Sequence, residues 1–291
     1  MAATSDLGLG IGWRGPLAQA IQRRADLGFV EIVAEDFFLA DRIPQPILEL
    51  HERGVRIIPH GVGLSLGGAE PIDPRRVEAL GRLAQQVQAP LVSEHLAFCR
   101  AGGLETGHLL PLPRTRDMLE LLISNVRQVE SDLPVPLALE NIATLFEWPG
   151  AEMDEAAFLS EMLDRTEALL LLDIENVYAN ARNMGGDPLA FLDRLPLDRI
   201  AYVHVAGGYE AGDLFHDTHT HPIPAAVYDL LEELFCRVAA PGAMLERDDR
   251  FPGEAELNAE LDGIAQAMQR GQARRAAGEL LHHASTAEDL S

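Results

Sequence analysis

Lysine is absent from this 291-residue chain, and all 23 of its basic residues are arginine. Chemistry that needs a lysine amine is thereby excluded, which removes Schiff-base aldolases and pyridoxal-phosphate enzymes. Cysteine is nearly absent too. Cys99 and Cys236 are the only two, too few for a disulfide framework and without the C-x-x-C spacing of a structural zinc site. No apolar run approaches the roughly 20 residues of a membrane helix, and "MAATSDLGLG" has neither the basic region nor the apolar stretch of a signal peptide. The expectation is a cytoplasmic protein with no membrane partner. Positive charge is scarce, giving a formal net charge of −23, so a nucleic-acid partner, which is held largely by cations on phosphates, is not expected.

What is present is a large apolar fraction, 47%, arranged in short runs. Eight candidate strands begin at Leu7, Phe29, Val55, Pro90, Val135, Ala168, Ile200 and Gly242, and segments with helical spacing such as "RTRDMLELLISNVRQVE" lie between them. Near-continuous apolar strands alternating with helices, eight times in about 250 residues, predict a single-domain (β/α)8 TIM barrel. An open doubly wound sheet is the rival, but "LGLGIGWRG" lacks the full G-x-G-x-x-G spacing. Residues 1–252 are read as the barrel and 253–291 as a C-terminal helix and polar tail completing it.

The C-terminal ends of the strands are polar in a consistent way. The third ends in His60, the fourth holds Glu94 and His95, the fifth Glu140 and Asn141, the sixth Asp173 and Asn176, the seventh His204 and the eighth Glu246. In a barrel these ends meet at one mouth, where active sites are built. Crowded ionisable groups there would carry large desolvation and repulsion costs unless cations neutralised them, so the pattern implies bound metal. The stretch "FHDTHTHPI" adds Asp217 and His219, whose D-x-H spacing in extended chain would point both to one ion, with His216 and His221 on the other face. Imidazole mixed with carboxylate suits iron, manganese or zinc better than magnesium. The number of candidate ligands fits two or three ions, especially if Glu140 bridges.

"HGVGLSLGG", "SEHLAF", "LENI", "DIEN", "HVAG" and "DTHTHPI", in this order, resemble the DUF692 (UPF0276) family of multinuclear non-haem iron-dependent oxidative enzymes, which includes the methanobactin-biosynthesis oxidase. The resemblance runs from about Leu7 to Asp248. It implies a barrel, of the xylose-isomerase-like type, holding two or three irons in mixed Fe(II)/Fe(III) states. With O2 as co-substrate it would modify cysteine residues of a ribosomally made precursor peptide. It assigns His60, His95, Glu140, Asp173, Asn176, His204, Asp217, His219 and Glu246 to the metals, with Glu140, Asp173 and His204 central to catalysis. It also implies that a leader-binding partner, where one is needed, is a separate polypeptide. "AEDFF" departs from the family pattern at Asp36, where asparagine is expected.

The rival activity is a redox-neutral divalent-metal sugar isomerase or epimerase, which also gathers Glu, Asp and His at barrel strand ends. A metal-binding protein without catalysis is a third class. Cys99 is read as a packing residue rather than a nucleophile, the Gly-Gly pairs as loops, and His282 and His283 as tail residues outside any site.

Overall fold

The computed structural model describes residues 6–40 and 42–278. Each of the eight apolar runs supplies one strand: β1 Gly8–Gly12, β2 Leu27–Val33, β3 Arg56–His60, β4 Val92–His95, β5 Leu137–Glu140, β6 Leu169–Asp173, β7 Ile200–Val205 and β8 Gly242–Leu245. All pair in parallel and close into a barrel, β1-β8-β7-β6-β5-β4-β3-β2, which excludes the open sheet.

The strands are buried on both faces, which is why they read as continuous apolar runs. Outward residues such as Val30, Ile32, Ile57, Val92, Leu170 and Val203 pack in the core between strands and helices. Inward lies a smaller cluster that includes Phe29, Ile58, Leu91, Ala138, Leu171, Tyr202 and Met244. Side chains in a strand repeat every two residues, so the residues two further on also face inward. They are Glu31, His60, Ser93, Glu140, Asp173, His204 and Glu246. A largely apolar plug thus supports a polar layer at the C-terminal mouth. Gly10 makes room for the plug: a Cβ there would lie 2.4 Å from the Phe29 ring, which packs edge-on to Tyr202 at 5.6 Å.

Several of the surrounding helices start at side-chain caps. Asp73, Thr115 and Asp154 accept hydrogen bonds from the backbone N–H of Arg75, Met118 and Ala157. A long helix, Glu254–Ala276, lies against helix Ala225–Arg237, and Gly271 permits the approach, since a Cβ there would sit 2.3 Å from the Glu232 carbonyl. Arg247 is buried after β8 and pairs with Glu260 of that helix through both Nε (3.0 Å) and Nη2 (2.6 Å). This bidentate pair fixes the strand end that carries Glu246. His282 and His283 lie outside the described residues.

Two antiparallel hairpins stand where loops were expected. One joins Phe98–Ala101 to Leu104–Leu110 after β4, and the other joins Tyr209–Ala211 to Leu214–His216 after β7. Among the described residues no helix is long and apolar enough to cross a membrane.

Candidate metal centre

Period-two alternation brings the strand-end residues together at the mouth. His60 Nε2 and His95 Nε2 lie 3.4 and 3.3 Å from Glu140 Oε2, and His204 Nδ1 lies 3.4 Å from Glu140 Oε1. Glu246 Oε2 is 2.9 Å from His204 Nδ1. Ligand-capable atoms of His60, His95 and Glu140 form one compact group, and those of Glu140, Asp173, His204 and Glu246 a second. Glu140 is common to both, the position a bridging carboxylate would take. Glu175, Asp217 and His219 form a third group.

Orphaned atoms show what the cluster would accept. Glu140 Oε2, Asp173 Oδ2, Asn176 Oδ1, His204 Nδ1, Asp217 Oδ1, His219 Nε2 and Glu246 Oε2 are buried without a hydrogen-bond partner. Buried polar groups are nearly always satisfied, so this many in one place needs an explanation. Some lie close yet unbonded: His204 Nδ1 and Glu246 Oε2, or His219 Nε2 and Asp217 Oδ1 at 2.7 Å, meet without hydrogen-bond geometry. Unpartnered donor atoms gathered in such compact groups fit cations, and the mixed imidazole and carboxylate donors fit a first-row transition metal.

The other edge of each imidazole is held by the protein. His60 Nδ1 pairs with Ser93 Oγ at 2.8 Å, His95 Nδ1 with the Gly61 carbonyl at 3.1 Å, and His219 Nδ1 with Asp248 Oδ2 at 3.1 Å. His204 is reversed, with Nε2 on Glu31 Oε2 at 2.8 Å. Each imidazole therefore turns its remaining nitrogen toward the cluster, with its tautomer set from behind. Beneath the site Tyr202 Oη donates to Glu31 Oε2 at 2.5 Å and meets Ser93 Oγ at 2.7 Å. One buried chain, Ser93–Tyr202–Glu31, thus links His60 to His204.

Neighbouring residues hold the frame. Asn141 clamps β6 by donating to the Asp173 carbonyl (3.0 Å) and accepting from its N–H (2.9 Å). Asp173 caps helix Ile174–Met184, and the Asn176 amide donates to the Asn141 carbonyl at 3.0 Å, leaving its Oδ1 free. Glu94 accepts from the N–H groups of Leu64 (2.9 Å) and His95 (2.8 Å), and Glu35 accepts from Val62 (3.1 Å), so both shape the loop after β3. Asp36 is exposed on the short 3-10 turn Ala34–Phe37. Cys99 lies half-buried on the first hairpin, where burial pushes its thiol up.

Asp217 and His219 do approach each other, but not by strand alternation. The hairpin ends at His216 and His219 takes a left-handed backbone, φ 51°, so a turn directs its ring to Asp217. His216 stacks on Tyr209 at 5.3 Å, and His221 lies 4.9 Å from the same ring. Glu31, Ser93, Tyr202, Glu175 and Asp248 are site residues that the sequence reading missed. Glu31 carried a signal: a lone acid in an apolar strand is rarely buried unless it has a partner.

Burial pushes the Glu140 carboxyl up, but His95, His204 and His60 outweigh it and hold it at about 2. Glu246 is likewise held well below the usual carboxylate range, burial being outweighed by His204 and His219. Burial, with Glu140 and Asp217, keeps Asp173 well above that range, and burial with Asp217 and Asp173 raises Glu175 to about 10. For His95 burial opposes the charge, yet Glu140 and Glu94 raise it to about 9, and in His204 and His219 too burial is outweighed by nearby carboxylates, which hold both well above the ordinary imidazole value. Protons thus occupy imidazoles that a cation would need neutral. Affinity for a divalent cation is expected to rise with pH through about 9, roughly tenfold per unit for each proton displaced. Proton release to a pH indicator on titration with Fe(II) or Mn(II) without O2 checks this; pH-independent affinity would contradict it.

A cleft of about 580 Å³ opens onto the cluster, with His95, Glu140, Asn176, Asp217 and His219 at its floor and Leu109, Leu110, Ile142, Leu145, Phe146 and Phe215 among its walls.

Residues 8–269 match the family model described as RiPP precursor modification enzyme MbnB/TglH/ChrH. A UPF0276 protein of Streptomyces avermitilis is 48% identical over 92% of this chain, which spans 56% of that protein's length. A UPF0276 protein of Caulobacter vibrioides is 35% identical, with 88% of this chain and 92% of that protein covered. Among solved structures, a xylose isomerase domain containing protein from Salmonella typhimurium has a TM-score of 0.62 at 12% identity, covering 91% of this chain and 98% of that one. The 3-keto-D-glucoside 4-epimerase YcjR from E. coli has a TM-score of 0.58 at 14% identity, covering 90% and 99%. At such identities these two show the fold alone, a xylose-isomerase-like TIM barrel. By its sequence over nearly the whole barrel, the chain belongs to the MbnB/TglH/ChrH family of RiPP precursor modification enzymes.

Proposed function

We propose that this protein is an iron-dependent oxidative enzyme that modifies a cysteine residue of a ribosomally synthesised peptide, with O2 as co-substrate. The observation that carries the reading is the set of buried, unpartnered ligand atoms grouped on either side of Glu140. His60, His95 and Glu140 would hold one ion, and Glu140, Asp173, His204 and Glu246 a second. Asp217 and His219, with the free Oδ1 of Asn176 at the same cleft floor, would hold a third. Three imidazoles in the first two sets and carboxylates in all of them favour a first-row transition metal over magnesium, and the family resemblance implies that it is iron in mixed Fe(II)/Fe(III) states. Bound iron would supply one-electron chemistry with O2 and a position for a thiolate.

The chain's own residues then have definable tasks. Glu31 and Ser93 fix the imidazoles of His204 and His60 from behind, so that each presents a chosen nitrogen. Asn141 and Arg247 hold the strand ends that carry Asp173 and Glu246. The turn bearing Asp217 and His219 covers the cluster on one side, while the hairpins wall the cleft and limit water. Apolar walls suit a peptide better than a sugar, whose hydroxyls need polar partners. That favours the peptide reading over the redox-neutral sugar isomerase. A separate leader-binding polypeptide completes the proposed set of partners.

Adding the cysteine peptide to Fe(III)-loaded protein without O2 is expected to produce a sulfur-to-iron charge-transfer band. A Cys→Ser peptide should produce none. An unchanged spectrum with a peptide shown by calorimetry to bind would contradict thiol binding at the cluster.

A further inference from the structure

A second cavity, about 320 Å³, lies on the far side of the loop after β5, and Thr144 lines both it and the metal cleft. Helix Ile174–Met184 also serves both: Asn176 faces the metal cleft, whereas Val177, Asn180, Ala181 and Met184 line the second cavity. Asn176 and Asn180 are one turn apart, about 6 Å along the helix, which is close to the length of two extended residues.

The charges of this cavity do not balance. Arg114 and Arg194 face Glu147, Asp154, Glu155 and Asp187. Arg114 is bonded to Glu147, and Arg194 Nη2 bonds both oxygens of Asp154 at 2.8 Å. Asp187 is engaged as the cap of helix Pro188–Leu192, accepting from Leu189 N–H. Among the described residues Glu155 is left with only a long contact from the Asn180 amide, 3.5 Å. Burial pushes its carboxyl up to about 7 even though Arg114 opposes the rise, as a carboxylate short of a cationic partner should behave. The adjoining walls, Val177, Ala181, Met184, Pro188 and Phe191, are apolar.

An apolar passage with one underpaired carboxylate suits a long side chain that carries charge at its tip. We infer that this cavity takes the cationic side chain of an arginine or lysine of the substrate peptide, its stem along Val177, Ala181 and Met184 and its head on Glu155. The inference rests on the peptide reading above and adds a specificity to it: a basic residue two or three positions from the reacting cysteine. The strongly acidic chain also favours a basic ligand over an anion.

The test needs neither iron nor cysteine, so its failure is distinct from failure of the oxidative reading. Calorimetric titration at physiological ionic strength would compare Nα-acetyl-arginine methylamide with its neutral counterpart, Nα-acetyl-citrulline methylamide. The arginine probe is expected to bind about tenfold more tightly. In Glu155→Gln the preference should shrink to within about twofold. Met184→Trp, a change at the partly exposed rim, should weaken both probes by about tenfold through filling the passage. Equal binding of the two probes to the unaltered protein, an arginine preference that survives Glu155→Gln, or indifference to Met184→Trp would each overturn the assignment.

Discussion

Glu140→Gln is expected to lose bound metal and to lower turnover by a factor on the order of 10² or more, because altering even a group that only hydrogen-bonds to a metal ligand costs about 10–100-fold in affinity or activity. Glu140 approaches His60, His95 and His204 within 3.4 Å and belongs to two of the ligand groups. Glutamine keeps the volume but not the charge, and an amide nitrogen cannot bind a cation. Glu94→Gln is the control. That carboxylate accepts from two backbone N–H groups and belongs to none of the ligand groups among the described residues, so its loss should cost about tenfold or less. Metal content by elemental analysis and turnover on the same preparations check both. Full metal and normal turnover in Glu140→Gln would contradict the bridging role.

Much of this site could be read before any geometry. A parallel barrel buries both faces of its strands, so apolar runs mark the strands even though they hide which face points inward. Polar residues at consecutive strand ends then identify the mouth, and His60, His95, Glu140, Asp173, His204 and Glu246 all come together there. The face ambiguity is also why Glu31 was missed. In "FVEIVAE" no alternation of polarity says whether Glu31 or its neighbours face the interior. Phe29 in the plug, two residues earlier, supplies that phase only once the barrel has closed.

The hairpins were missed for a different reason. Their strands are short and largely exposed, Leu104 being 75% accessible, so burial left no apolar pattern to read. A turn signal was present in Gly102 and Gly103, which take φ 62° and 75° in a two-residue connection. Asp217 and His219 meet through a left-handed turn at His219, not through the extended chain that their D-x-H spacing suggests.

The second large effect concerns the metal and the sulfur together. Neutral imidazoles and carboxylates can hold Fe(II), and a thiolate is a favourable soft ligand for a vacant position beside them. Zinc can occupy the same donors but has no redox chemistry. If the reaction is an oxidation at a cysteine, filling the site with zinc must abolish it by a factor far greater than any change in peptide affinity. A redox-neutral isomerase or epimerase would tolerate the exchange.

The most direct measurement is the mass of the peptide after incubation of iron-loaded protein with O2, together with the partner protein if one is required. The expected result is an O2-dependent change in the mass of the cysteine peptide, absent with zinc-loaded protein and absent with the Cys→Ser peptide. Undiminished conversion of the serine peptide, or full activity with zinc, would contradict thiol-directed iron oxidation at this mouth.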